Sequence, residues 1–243
     1  TAVGLDALDA ITTGYSNVAM GHNALTNSGT VNRSVAIGYE AGRDNTTGYF
    51  NTLVGRHAGQ EGTTFVANVG IGSAALQGYG SSGSGGASAF GNVAVGHNAF
   101  RCMTSGEKSV SVGMDSGYYN TSGGYNTFLG YKVGFRNTTG STNTCVGGWM
   151  FDFNTTGHSN CAMGYRALAG NTEGDYNTAL GQGAGGSITT GDNNMALGYQ
   201  AGSASSPSGT LSTGSNVICL GNTAVTAVYV ETDAWTTSDE RDK

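Results

Sequence analysis

Residues 17–21 read NVAMG, 34–38 read SVAIG, 51–55 read NTLVG and 68–72 read NVGIG. The phrase returns as NVAVG at 92–96, SVSVG at 109–113, NTFLG at 126–130, NTCVG at 143–147, NCAMG at 160–164, NTALG at 177–181 and NMALG at 194–198. With the outlying Gly4 and Gly221 it makes 13 copies. Ten of the twelve intervals are 17 residues; those ending at Gly96 and Gly221 are 24 and 23. A fixed period over most of a chain is the signature of a repeat architecture. A 17-residue unit is too short for a helix pair or a propeller blade and suits one coil of a β-solenoid, with two short strands and two turns.

The columns of the repeat predict which way residues face. Immediately before the glycine stand Val3, Met20, Ile37, Val54, Ile71, Val95, Val112, Leu129, Val146, Met163, Leu180, Leu197 and Leu220, all large and apolar. Two residues earlier the column is mostly Val or Thr. Residues two apart on a strand share a face, so both columns are expected to line the inside of the coil. The column between them (Ala2, Ala19, Ala36, Leu53, Gly70 and on to Cys219) carries no charge. It is expected to point outward and to pack against neighbouring chains. After the glycine comes a second predicted strand, whose third residue is usually Ala, which calls for a thin coil. Asn heads most repeats, as at Asn17, Asn51 and Asn68, and stacked asparagines can form hydrogen-bonded ladders along a solenoid axis. In the NTTG turns at 45–48, 137–140 and 154–157 the glycine is expected to supply a positive φ. At roughly 4.8 Å per coil, twelve steps give a rod roughly 58 Å long.

Composition narrows the function. Of 243 residues 43 are Gly and one is Pro, and 11% are charged, with a net charge of −6. The glycines lack the three-residue period of collagen, no run of 18 apolar residues could span a bilayer, and the acidic balance argues against a nucleic-acid partner. Cys102, Cys145, Cys161 and Cys219 are widely spaced, with neither CxxC pairs nor a His cluster, and are read as buried thiols rather than a zinc site or disulfide framework. His22, His57, His97 and His158 lack metal spacing, and no cofactor is expected. The close acidic pairs Asp6/Asp9 and Glu173/Asp175 are read as solvated turn residues rather than as the convergent carboxylates of a glycosidase. The two long intervals are read as loops, with Tyr79 and Phe90 in the first.

The succession of NVAMG-like phrases, each followed by A-L or A-G, resembles the head repeats of YadA-like trimeric autotransporter adhesins over residues 1 to about 222. That resemblance implies an all-β, left-handed parallel β-roll of about 13 coils, built as a homotrimer. The 17-residue period is longer than is common there. The following stretch, 223–243, is expected to be an extended strand, alternating at Val225, Ala227, Val228 and Val230, that ends in a junction. Its last six residues, SDERDK, resemble the junction of the intramolecular chaperone of endosialidase-type phage tail spikes and fibres. The resemblance implies scission between Thr237 and Ser238, with Ser238 as nucleophile and Lys243 assisting. The chaperone would lie beyond Lys243, so the chain reads as a fragment with no catalysis of its own; it also begins mid-repeat, which suggests more coils upstream. The implied role is structural: a rod in a virion's tail fibre, engaged in host attachment. The alternative is the head of an adhesin on a bacterial surface. A ridge just after the glycine, comprising Tyr39, Arg56, His97, Tyr131, Tyr165 and Tyr199 together with His22, could meet a cell-surface glycan through ring faces; a protein receptor is the other expected partner.

Overall fold

A computed structural model describes residues 1–78, 87–203, 206 and 209–226. Every closing glycine of the repeat marks the end of a strand. The strands are β1 (Ala2–Val3), β2 (Val18–Met20), β3 (Val35–Ile37), β4 (Thr52–Val54), β5 (Val69–Ile71), β6 (Val93–Val95), β7 (Val110–Val112), β8 (Thr127–Leu129), β9 (Thr144–Val146), β10 (Cys161–Met163), β11 (Thr178–Leu180), β12 (Met195–Leu197) and β13 (Ile218–Leu220). They form one 13-stranded sheet in sequence order. Each pairs in parallel with the same column of the next coil, as Val18↔Val35 and Ala19↔Ala36. The molecule is therefore an all-β parallel solenoid with a period of about 17 residues.

Both long intervals keep this register: Val69 pairs with Val93 and Met195 with Ile218. Phe90 is not in the first loop. It lies in the regular coil, bridged to Val66 and Glu107. Tyr79 lies outside the described residues.

Among the described residues only one strand per coil forms. The segment after the glycine, expected to be a second strand, is a turn. Counting from the glycine, positions +2 and +4 take positive φ in each of the first twelve coils, as at Asn23 (58°) and Leu25 (51°). The right- and left-handed residues alternate and bend the backbone back on itself within six residues. Position +3 between them faces inward, and Ala24, Ala41, Ala58, Ala99, Ala167 and Ala184 are fully buried there. The thin coil predicted from this alanine column is present.

The strand faces are reversed relative to expectation. Ala19, Ala36, Leu53, Ala94, Phe128, Cys145 and Ala179 are 0% exposed within a single chain, whereas Met20 is 46% and Val3 52% exposed. The small middle column fills the coil; the large apolar columns on either side of it point out. The reason is width. The strand column faces the alanines at +3 across one side-chain layer, and thirteen Val, Ile, Leu or Met side chains stacked in that layer would overfill it.

Buried polar ladders complete the interior. Asn143 Nδ2 donates to Gly157 O at 2.9 Å, while its Oδ1 accepts from Asn160 N at 2.9 Å. The same pattern runs through Asn160, Asn177 and Asn194, so the predicted ladder is scaffold. A second ladder arises from the NTTG turns: Asn137 donates to Asn120, Asn154 to Asn137 and Asn171 to Asn154 at 2.6–2.8 Å. The glycine of these turns is not needed for φ. Gly140 has no positive φ, but a Cβ on it would lie 2.5 Å from the carbonyl oxygen of Gly157 and 2.3 Å from Asn137 Oδ1. Close stacking of coils, rather than backbone handedness, excludes a side chain there.

Candidate functional site

The outer strand face is a uniform surface that runs along all thirteen strands. Its two columns run from Val3 to Leu220 and from Val18 to Ile218 and contain only Val, Ile, Leu, Met, Thr and Cys. Met163 is 53% and Ile218 67% exposed. Exposed aromatics flank it: Phe50, Tyr125 and Tyr176 precede the strands, and Tyr39, Tyr165 and Tyr199 follow them. A continuous apolar stripe of this kind marks an interaction surface.

Three of the four cysteines are buried as expected, and no disulfide joins any of them. Burial pushes the Cys102 and Cys145 thiols up from their ordinary pKa. Cys161 departs from expectation. It lies on the outer strand face and is exposed, because its column, unlike that of Cys145, points out.

The residues of the expected ridge lie on the surface. Tyr39, Arg56, His97, Tyr131, Tyr165 and Tyr199 are all exposed, each one residue beyond a strand-closing glycine. At the first coils the His22 and Tyr39 ring centroids are 5.3 Å apart, and Tyr39 also lies 5.4 Å from His57, which stands beside the ridge at position +2. Glu40 raises the Tyr39 pKa through a side-chain hydrogen bond. Partial burial, helped by Arg56, lowers that of His57. Ser73, Met114, Gly148 and Gln182 interrupt the ridge, so it is a set of patches rather than a continuous strip. Tyr165 lines a cleft of about 350 Å3 with Arg166, Gln182, Gln200 and Ser203.

A cluster of aromatic and cationic side chains lies further round the coil. Tyr119 and Phe135 meet edge to face at 5.3 Å. Lys132 Nζ stands 4.5 Å from the Trp149 centroid and 5.2 Å from that of Phe135, and the Arg136 guanidinium lies over Phe153 at 4.8 Å. Tyr131 contacts Trp149 at 5.4 Å. The ridge pattern did not single out Trp149, Phe135 or Arg136, because they occupy positions +2, +5 and +6 rather than +1.

A polar ladder runs along another exposed corner. His158 Nδ1 accepts from Ser141 N at 3.0 Å, and Asp175 Oδ1 accepts from His158 N at 2.6 Å. Asp175 N in turn donates to Asp192 Oδ1. These side chains cap backbone donors. In earlier coils the same column holds Tyr49, Val66 and Phe90, and the backbone forms bridges instead. Asp6, Asp9 and Glu173 are exposed. Among the described residues no group of three or more His, Cys, Asp or Glu is placed to hold a metal ion, and no helix is long and apolar enough to cross a membrane. Residues 222–225 close a turn through Val225 N to Asn222 O. Ser238, Lys243 and the rest of the predicted C-terminal strand lie outside the described residues.

No protein-family model matches the chain, and neither a curated protein nor a solved structure resembles it beyond chance.

Proposed function

We propose that the chain is the shaft of a homotrimeric fibre, in which the outer strand faces of three left-handed solenoids pack together about one axis. The observation that carries this reading is the uncharged apolar stripe on β1–β13. Each Val, Leu, Ile or Met that such packing removes from water contributes about 1.5–3 kcal/mol. A single thin coil buries little of its own apolar surface, so lateral association supplies what the narrow core cannot. The resemblance of the repeats to adhesin heads and of SDERDK to a chaperone junction supports a phage tail fibre that attaches to a host cell and is released by scission between Thr237 and Ser238.

Molar mass by light scattering tests the assembly. The reading expects three times the 24.5 kDa chain mass. A stable species of a single chain mass overturns it.

A further inference from the structure

We infer that the cleft between Tyr119 and Arg136 is a binding site for an acidic saccharide, one whose sugar rings carry carboxylates. The cleft is about 450 Å3 and is lined by Tyr119, Thr121, Phe135, Arg136, Thr138 and Thr155. Three features of it match three features of such a ligand.

The first is the aromatic wall. Tyr119 is 45% exposed and meets Phe135 edge to face at 5.3 Å. Tyr118, behind them, contacts both rings. The side of a pyranose that carries axial C–H bonds is apolar and slightly positive, and it stacks on the negative face of an aromatic ring. Rings held by neighbouring rings lose little freedom on binding.

The second is charge. Arg136 and Lys132 form no ion pair with any carboxylate among the described residues. Arg43, by contrast, is held by Glu40 and Asp44. In a chain of net charge −6, Arg136 and Lys132 outnumber the one carboxylate of the adjoining coil position, Asp152, with which neither forms an ion pair. The guanidinium face of Arg136 rests on Phe153 at 4.8 Å. Its edge keeps the paired donors that match a carboxylate.

The third is the threonine column. Thr121 Oγ1 donates to Thr138 O and Thr138 Oγ1 to Thr155 O, at 2.9–3.0 Å. Each hydroxyl hydrogen is committed to the next coil. The oxygens therefore present lone pairs, in a row at coil spacing, to hydroxyl donors from successive sugars.

The site gives the attachment role proposed above a place and a chemistry, but it lies within one chain and does not require the trimer. Isothermal titration of the whole chain with a tetrasaccharide of glucuronic acid, and with its methyl ester, tests it. The acid form is expected to bind saturably and to weaken as salt rises. The methyl ester, which keeps the rings and loses the charge, and the variants Arg136→Met and Phe135→Ala are each expected to bind about tenfold or more weakly. Arg166→Met, in the separate cleft beside Tyr165, is expected to leave binding unchanged. No binding by the folded protein, equal binding of acid and ester, or loss with Arg166→Met in place of Arg136→Met overturns the site. A single-chain mass with binding intact would sink the assembly alone; a trimer without binding would sink the site alone.

Discussion

The ring of Phe128 occupies the space that a side chain at Gly134 would need. A Cβ built on Gly134 would lie 2.7 Å from Cζ of Phe128. The same relation holds between Leu53 and Gly59, where the distance is again 2.7 Å. Where the strand column carries a large residue, the adjoining +4 positions are glycine: Gly42 and Gly59 flank Leu53, and Gly117 and Gly134 flank Phe128. Where the strand column is Gly70, Ala94, Cys145 or Ala162, position +4 is Leu76, Phe100, Phe151 or Leu168, each fully buried. In these coils volume moves between the two columns, and where both are small, as at Ala179/Gly185 and Ala196/Gly202, Ile188 and Leu211 stand against the +4 glycine instead.

Phe128→Ala is therefore expected to cost about 3–5 kcal/mol in chemical denaturation, the usual range for emptying a buried phenylalanine site. The double variant Phe128→Ala with Gly134→Phe should recover most of the loss. It restores the Ala–Phe arrangement found at Ala94 and Phe100, whose positive φ of 47° shows that an aromatic residue is accepted at +4. Equal stability of the single and double variants would contradict the exchange of volume.

Gly38→Ala and Gly29→Ala separate the two kinds of glycine. Gly38 has φ +136° and a Cβ there would meet the Gly55 carbonyl oxygen at 2.4 Å, whereas at Gly29 the nearest atom is 3.7 Å away. The first is expected to destabilise by more than the ~1–2 kcal/mol of a left-handed residue alone, because the next coil must also shift. The second should stay within about 0.5 kcal/mol of the parent. Thermal melts of the two variants decide.

Removing one rung of the asparagine ladder should be felt on both sides of it. Asn143→Ala leaves Gly157 O and Asn160 N without their side-chain partner in a site that is 0% exposed. A cost of about 1–3 kcal/mol is expected, with faster amide exchange at Asn160 than at Asn194. Unchanged exchange at Asn160 would show that the rung is dispensable.

The histidine at position 57 gives a pH signature. Burial and Arg56 lower its pKa, and Glu40, 3.8 Å away, does not compensate. The unfolded chain therefore takes up a proton more readily than the folded one. The stability this contributes is present above the ordinary histidine pKa of about 6.5 and is lost as pH falls through it. An NMR titration of His57 should show a midpoint below that value, and His57→Gln should flatten the acid side of the stability profile. A midpoint above it would reverse the sign.

The repeat made the fold legible because its period survives every substitution. Gly21 through Gly198 all close strands, and even the two longer intervals keep register, so counting glycines placed β1–β13 directly. Facing was not legible by the same rule. Alternation separates the two faces of a strand only when one is polar, and Val18, Ala19 and Met20 are all apolar. Size was the usable signal. The alanines at +3 already required a thin coil, and a thin coil places Ala19 rather than Met20 inside. The ridge at Tyr39 and Tyr131 could be read from one column, whereas the cleft at Tyr119, Phe135 and Arg136 draws on two columns and two neighbouring coils. Stacking brings them together, and no single repeat contains them.

The reversed facing has a consequence for mutation. Ile71→Lys places a charge on the outer stripe and is expected to lower the assembled fraction seen by light scattering and the melting temperature together, while Ala36→Lys buries it inside the coil and should abolish folding outright. A folded Ala36→Lys protein would restore the opposite facing.

Thiol reactivity of the native protein reports whether sister chains cover the outer strand face. Cys161 is the exposed thiol of the outer strand face, and Cys102, Cys145 and Cys219 are buried within the coil. If the stripe is covered by sister chains, a maleimide should label no thiol until the protein is denatured, when all four react. Rapid labelling of Cys161 alone in the native protein would show the stripe open to water and contradict the account.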